Sequence, residues 1–338
     1  MNLKPRQMPS EMQKRPELSI VIVNWNAADY VIAAIASVEV RTSGVEFEII
    51  VVDNGSDGDD AARIQNACPR ATVVRSGRNL GFAAANNLGV RYSSGKYILF
   101  LNPDTEVRGT AIQSILRTFV SSNGIGVLGC ELLNTDGSVQ TSCIQPFPTI
   151  TNQVFDVDVL QSRSSRRTLL RNEQLTAAGL SAIDVEAVSG ACLMIERDTF
   201  ERVGGFDEGY FMYAEDVDLC YKVHALGKRV AFTKAAVVVH HGGGPSKERK
   251  SNEWIAVMQR RAILRFCSLR RGPIYGEMYR LAMGICALCR LVVMMIAVPC
   301  SSEATRKRLV RFSLTKWLGI LKWSLRLDQN IAPTGENG

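Results

Sequence analysis

Apolar positions in the first third of the chain come as short unbroken runs closed by polar residues. LSIVIV (18–23), FEIIVV (47–52) and YILFL (97–101) are such runs, and ATVV (71–74) is a shorter one. A continuous β-branched run predicts a strand buried on both faces, as in a parallel sheet covered by helices. Between the runs lie segments with apolar residues at helical spacing, at 30–40, 61–67 and 81–90. This alternation predicts an α/β fold with ligand sites at the carboxyl ends of the strands. Further on, 185–196 returns to an apolar pattern, 213–226 predicts a helix stopped by Gly227, and 229–239 predicts the last strand of the body. The stretch 140–182 is polar and irregular, with Pro146, Pro148 and a basic run at 163–171. Loops of that length inside a domain are usually functional or disordered.

The C-terminal quarter has a different pattern. Residues 281–298 are apolar, interrupted by Arg290 and followed by Pro299. The run reaches only the lower limit for a membrane-spanning helix, and one inserted arginine costs roughly 2.5–3.5 kcal/mol. Leu314, Trp317, Leu318, Leu321 and Leu325 fall on one helical face, with Lys316, Lys322 and Arg326 beside them, which predicts an interfacial amphipathic helix. Charge sharpens the contrast. The chain is +7 overall, but residues 245–326 hold 17 of the 40 basic and 4 of the 33 acidic side chains. That segment is therefore +13 and the remainder −6. A basic, apolar appendage on a mildly acidic body predicts attachment to an anionic membrane face. Nucleic acid is not expected as a partner, since no binding motif accompanies the charge. The expected organisation is a flexible leader (1–16), an α/β catalytic domain (17–246), a helical membrane-associating or packing extension (247–330) and a tail (331–338). Nine cysteines, an odd number, and the lack of a secretory signal predict a cytoplasmic, reducing setting. Cys286 and Cys289 form a CxxC without a second pair, which reads as helix packing rather than zinc binding.

Candidate chemistry sits at the strand ends. Val23, Asn24 and Asn26 close the first run, and Asp53 closes the second, where a carboxylate can accept from a base or a ribose hydroxyl. A turn-forming aspartate is the structural alternative. Asn102-Pro103-Asp104 closes the YILFL run. A diphosphate leaving group needs its charge neutralised, and a hard divalent ion on one or two carboxylates supplies that. Asp104 as N-cap of a helix running through Ile112 is the alternative. Glu215-Asp216 follows an aromatic-rich loop at a helix start, where one acid, if buried, becomes a general base for a sugar hydroxyl. Such pairs also serve simply as helix-dipole partners. Asp218 is expected to face elsewhere. His240 and His241, two of the three histidines, stand before a glycine run and offer a neutral metal ligand. Arg78 is a candidate phosphate contact or an exposed surface residue.

LSIVIVNWN, IIVVDNGSDG, RNLGFAAANNLG, YILFLNPDTEV, SGACLMIERDTFERVGGFDEGYFMYAEDVDLCYKVHALG and VVVHHGGGPS run in order over most of the chain. Together these segments resemble the inverting glycosyltransferases of family 2, which have the GT-A fold and include the bacterial rhamnosyltransferases of polysaccharide biosynthesis. The resemblance implies a Rossmann-like, mostly parallel sheet flanked by helices, with the helical C-terminal extension outside it. It implies that Asn24, Asn26 and Asp53 hold the nucleoside; with Val23, Arg78, Asn102 and Asp104 they make up the expected sugar-nucleotide contacts. Asp104 would be the last carboxylate of a metal motif whose first position is here Asn102. His240, or equally His241, would contact metal or diphosphate, with Mg²⁺ or Mn²⁺ as the cofactor. Asp216 would be the general base.

The implied reaction is a single in-line displacement that inverts the anomeric centre, with rhamnose from dTDP-rhamnose as the favoured donor. The implied acceptor is a saccharide, polyprenyl-linked or on a growing cell-surface polysaccharide, at the inner face of the cell membrane. A UDP-hexose donor is the nearest alternative. A sugar-nucleotide nucleotidyltransferase would share the nucleotide body but carry a basic, Gly-rich loop where this chain has Asn24-Trp25-Asn26. A non-catalytic nucleotide-binding module would have no use for Asp53, Asp104 and Asp216 together.

Overall fold

The computed structural model describes residues 15–155, 182–242, 252–297 and 313–328. Nearly all of the expected leader, the basic run at 163–171, the chain beyond Gly242 in the glycine run, Val298 with Pro299, and the tail lie outside these residues.

The unbroken apolar runs become the central strands. β1 (Leu18–Asn24), β2 (Phe47–Asp53), β3 (Thr72–Arg75) and β4 (Tyr97–Leu101) pair in parallel in the order β3-β2-β1-β4. β1 and β4 are buried along their whole length, as strands covered on both faces must be. Helices α1 (Ala28–Arg41), α2 (Asp60–Ala67) and α3 (Phe82–Arg91) supply the crossovers. Strand order reverses at β1, because β2 lies on one side of it and β4 on the other. Such a switch point opens a crevice outside the strand carboxyl ends.

Beyond β4 the sheet becomes mixed. β5 (Thr105–Arg108) follows Asp104 directly, and α4 (Ala111–Ser121) starts only after Thr110. The reading of Asp104 as the cap of a helix through Ile112 is therefore corrected: a strand intervenes, because Thr105–Arg108 finds an edge to pair with. β6 (Ile125–Leu133) lies between β10 (Cys192–Glu196), to which it is antiparallel, and the long β11 (Arg229–His240), to which it is parallel. The full path is β3-β2-β1-β4-β10-β6-β11-β5, with β8 (Ile183–Asp184) also on β11. Part of the polar stretch is ordered: β7 (Ile144–Gln145) pairs with β9 (Ala187–Val188), and a capping box at Thr149 starts α5 (Ile150–Val154). After α6 (Arg197–Arg202), helix α7 (Glu215–Ala225) begins two residues later than predicted, because Tyr213 and Ala214 are both left-handed, at φ 72° and 61°.

Three C-terminal helices, α8 (Asn252–Arg271), α9 (Pro273–Ala297) and α10 (Thr315–Ser324), pack on one another around Val257, Tyr279, Met283, Ala287, Ile320 and Trp323. Two arginines of α8 tie this unit to the body. Arg270 makes a paired contact with Asp218, at 2.7 and 2.9 Å, and Arg265 reaches Asp207 at 2.8 Å. The amphipathic face expected on α10 is corrected in part. Ile320 and Trp323 are its buried face, while Trp317 and Leu321 pack against the same small core. The outward apolar surface lies on α9 instead, where Ile274, Met278, Leu281, Ile285, Leu288 and Val292 are exposed along one side. By length and composition 273–296 could cross a membrane, with mean hydropathy 1.8, but Tyr279, Met283, Ala287 and Leu291 face the neighbouring helices. One side is thus committed to protein. Cys286 joins that packing, with its thiol directed at the Val154 carbonyl.

Candidate active site

A cavity of about 900 Å³ opens at the carboxyl ends of β1, β2 and β4. Val23, Asn102, Asp104, Asp216 and His240 all line it, so residues more than 200 positions apart in sequence share one space.

At the β1–β2 end, neighbouring strands bring Asn24 opposite Asp53 in register. Asn24 is 0% exposed, and its amide nitrogen reaches Asp53 Oδ1 at 3.0 Å, Ser56 Oγ at 3.0 Å and Asp60 Oδ2 at 3.1 Å. With both N–H groups spent inward and no exposed surface, it is not placed to hold the nucleotide; that expectation is corrected, and Asn24 instead fixes the position of Asp53. Asp60, which the sequence reading passed over, also accepts from the Ala27 and Ala28 amides and so caps α1 from outside. Asp53 sits at the strand end, accepting from Asn24 and from Ser56 at 2.5 Å. Asn26 is left-handed (φ 54°) and bonds to Ser56 and Asp57; neither it, nor buried Asp53, nor exposed Arg78 is on the cavity wall, so Asp53 stands just behind the wall rather than on it. Trp25, Ala27, Asn54 and Asn79 take the wall positions there. Gly81 completes this edge: its φ of +82° and the nearness of the Phe211 carbonyl leave no room for a side chain.

Deeper in, strand pairing sets the next group. β5 runs antiparallel to β11 with Thr105 opposite His240, and the His241 amide donates to the Asp104 carbonyl. Asp104 Oδ1 and His240 Nε2 consequently lie 3.3 Å apart. His241 points away, exposed and near Thr135, so His240 is the histidine of the cavity. Gln140 decides its tautomer. The Gln140 amide nitrogen donates to the His240 carbonyl at 2.6 Å, which leaves its Oε1 to accept from His240 Nδ1–H at 2.9 Å. Nε2 is therefore the acceptor nitrogen: it takes a hydrogen bond from Asn102 Nδ2 at 3.2 Å and faces Asp104. Asn102 Oδ1 is buried with no hydrogen-bond partner among the described residues. The Asp104 carboxylate beside the orphaned Asn102 oxygen, with His240 Nε2 once it gives up its bond from Asn102, fits a hard divalent cation that takes its remaining ligands from phosphate and water. The fit is that of a sparse site, for no group of three His, Cys, Asp or Glu side chains capable of holding a metal occurs among the described residues.

Asp216 stands at the start of α7. Its Oδ2 accepts from the Gly190 amide at 2.8 Å and from Gln145 Nε2 at 3.1 Å, and its Oδ1 from the Val217 amide at 2.8 Å. Burial raises its pKa, and these N–H donors oppose the rise. Glu215 beside it is 6% exposed, and its Oε2 has no partner among the described residues. Burial, then the charge of Asp216, pushes Glu215 up from 4.5 to about 8. The two acids therefore divide the roles: Asp216, held by N–H donors, ionises first, and Glu215 stays protonated near neutrality.

That division carries a prediction. The fold favours protonated Glu215, so the stability it contributes is fully present below about pH 4.5 and is lost as pH rises toward about 8. Glu215→Gln keeps a neutral side chain at every pH. It should match wild type at about pH 5 and melt higher at about pH 8.5, by an amount approaching roughly 4 kcal/mol. Thermal unfolding of both proteins across that range is the check; parallel curves would contradict the assignment.

Comparison with known proteins decides the family. Residues 19–203 match Glycosyl transferase family 2. The chain belongs to that family. It is 30% identical over 237 residues to the N-acetylglucosaminyl-diphospho-decaprenol L-rhamnosyltransferase of Mycobacterium tuberculosis, covering 66% of this chain and 76% of the relative. A Sinorhizobium fredii protein, y4gI, is 29% identical over 262 residues, 74% of this chain but only 28% of its own length. Among solved structures, the mannosyltransferase PcManGT of Pyrobaculum calidifontis, in complex with GDP-Man and Mn²⁺, superposes with a TM-score of 0.55 at 14% identity. The match covers 96% of this chain and 89% of that one. The family 2 chain thus has the GT-A glycosyltransferase fold. The family match ends at residue 203, before Asp216, His240 and the C-terminal helices.

Gln140 and Gln145, which orient His240 and Asp216, were missed by the sequence reading. Both are neutral amides inside the polar stretch, and no motif or charge marks them.

Proposed function

We propose that this family 2 protein is an inverting glycosyltransferase that moves a sugar from a nucleoside diphosphate to a polyprenyl-linked saccharide. The observation that carries the reading is the shared cavity, which Asp216 and the Asp104–His240 pair both line. The nucleoside lies at the β1–β2 edge beside Asp53 and Trp25, and its diphosphate lies toward Asp104 and His240. A divalent cation, Mg²⁺ or Mn²⁺, would be held by Asp104 and His240, and when bound it neutralises the charge on the departing diphosphate.

Asp216 has one task, to take the proton of the acceptor hydroxyl. The new bond forms between the acceptor oxygen and the anomeric carbon as the carbon–oxygen bond to the diphosphate breaks, and its electron pair leaves with the diphosphate. Gly190 and Gln145 hold the carboxylate in place. A side chain at position 190 would press on the Asp216 side chain at 3.3 Å, which explains the glycine. One displacement from the opposite face inverts the anomeric centre.

The named M. tuberculosis relative supports rhamnose as the sugar and a diphospho-polyprenol as the acceptor carrier. A membrane-embedded acceptor gives the exposed side of α9 a purpose. We place the protein peripherally on the cytoplasmic face, with that apolar side against acidic phospholipid and the basic segment supplying attraction. The test is release of nucleoside diphosphate from dTDP-rhamnose, UDP-hexoses and GDP-mannose, each with and without Mn²⁺, in the presence of a GlcNAc-diphospho-polyprenol acceptor. Turnover of dTDP-rhamnose alone supports the full reading, and turnover of another donor corrects the sugar. Absence of any turnover contradicts the proposal.

A further inference from the structure

The arginines of α8 separate by what they face. Arg261 pairs with Asp328 at 2.6 Å, Arg265 with Asp207 at 2.8 Å and Arg270 with Asp218 at 2.7 Å. Each joins α8 to another part of the protein. Arg260 pairs with no carboxylate among the described residues. It lines the active-site cavity beside the buried Tyr279 phenol, and its Nε is buried without a hydrogen-bond partner there. A half-buried guanidinium on a cavity wall, with no carboxylate partner and one N–H unsatisfied, is a seat for an anion, and the fork geometry of arginine suits phosphate.

Its surroundings narrow the anion further. Gln259 and Lys316, the latter from α10, share this wall, and Ile255 and Ile263 lie on it too. Ile255, Gln259 and Ile263 are spaced four residues apart, so this is one face of α8, polar in the middle and apolar at both ends. The wall belongs to the C-terminal helices, the same unit that exposes the apolar side of α9. A molecule that is lipid at one end and saccharide at the other would meet those helices before it met Asp216. The donor's diphosphate, by contrast, is already served by Asp104 and His240 at the strand ends.

We infer that Arg260, aided by Gln259 and Lys316, binds the diphosphate that links the acceptor saccharide to its polyprenyl carrier. This deepens the acceptor reading proposed above and rests on it. Arg260 positions the acceptor by its phosphates while the hydroxyl to be glycosylated lies at Asp216. Recognition of the linker, rather than of the lipid chain, would restrict the enzyme to diphosphate-linked acceptors.

The test measures binding by calorimetry on the whole protein with farnesyl diphosphate and, separately, with dTDP plus Mn²⁺. Wild type is compared with Arg260→Gln and Arg260→Lys. The expected result is farnesyl diphosphate binding weakened at least about tenfold in Arg260→Gln and partly recovered in Arg260→Lys. Retained dTDP binding in both variants would show that they fold. Farnesol should bind wild type and Arg260→Gln alike, which separates the phosphate from the chain. Loss of dTDP binding together with farnesyl diphosphate would reassign Arg260 to the donor. Equal binding by all three proteins, or no binding of farnesyl diphosphate by wild type, would overturn the inference. Sugar transfer to a neutral alkyl glycoside distinguishes the two readings: if wild type glycosylates it but ignores farnesyl diphosphate, the transferase assignment stands and the linker site does not.

Discussion

Asp216→Asn is expected to lower the transfer rate by about a thousandfold or more while leaving nucleoside diphosphate binding within about threefold of wild type. The reason is local. An amide cannot take the acceptor's proton, yet it fills nearly the same volume between Gly190, Gln145 and Val217. One of the three N–H donors loses its acceptor, a modest cost that thermal unfolding would register. In wild type, activity should fall as pH drops through the raised pKa of Asp216, because only the ionised carboxylate is a base. The residual activity of the variant should lose that acidic limb. Rates across pH with the donor saturating, set beside calorimetric titration of the nucleotide, separate the two effects. A variant that binds nucleotide as poorly as it turns over would mean that Asp216 builds the donor site and that the base lies elsewhere.

Asp218→Ala should produce the largest stability loss of any single carboxylate change, about 3–5 kcal/mol. Asp218 is 0% exposed on α7 and faces Arg270 through two contacts, with the Tyr210 hydroxyl donating to it as well. Removing it leaves a partly buried guanidinium beside Tyr210 and Tyr221 without a counter-charge. The expected outcome in denaturant is an early transition in which the C-terminal helices loosen from the body, followed by unfolding of the sheet. Replacing both partners, as in Asp218→Leu with Arg270→Leu, should recover much of the loss. A change below about 1 kcal/mol in the single variant would show that the pair does not hold the extension to the body.

Different parts of this structure were legible in the sequence for different physical reasons. β1, β2 and β4 announce themselves because strands covered on both faces need unbroken apolar runs. β6 does not, since Gly126 and Gly129 interrupt it. Both sit where a side chain would strike a neighbour, Val223 at 2.6 Å in one case and Val188 at 2.5 Å in the other, so close packing looked like a break. Asp104, Asp216 and His240 could be singled out because charge or a ring at an element's end is conspicuous. Asn24 and Arg78 were equally conspicuous, but their roles depend on which way a side chain turns. One is buried into a hydrogen-bond cluster and the other is exposed off the cavity wall. Gln140 and Gln145 act only through the groups they orient, and Arg260 is one of several similar arginines until the fold shows which of them lack a carboxylate. On α10, periodicity marked Leu314, Trp317, Leu318, Leu321 and Leu325 as one stripe but could not say that Ile320 and Trp323 would claim the inward side.

The claim on which the rest depends is that Asp104 and His240 seat the donor's diphosphate together with a divalent ion. Calorimetric titration of dTDP into wild type and Asp104→Ala, each with and without Mn²⁺, tests it directly. Wild type should bind at least about tenfold more tightly with Mn²⁺, and Asp104→Ala should bind weakly and identically in both conditions. An affinity in wild type that ignores Mn²⁺, or a variant that keeps the full metal effect, would contradict the account.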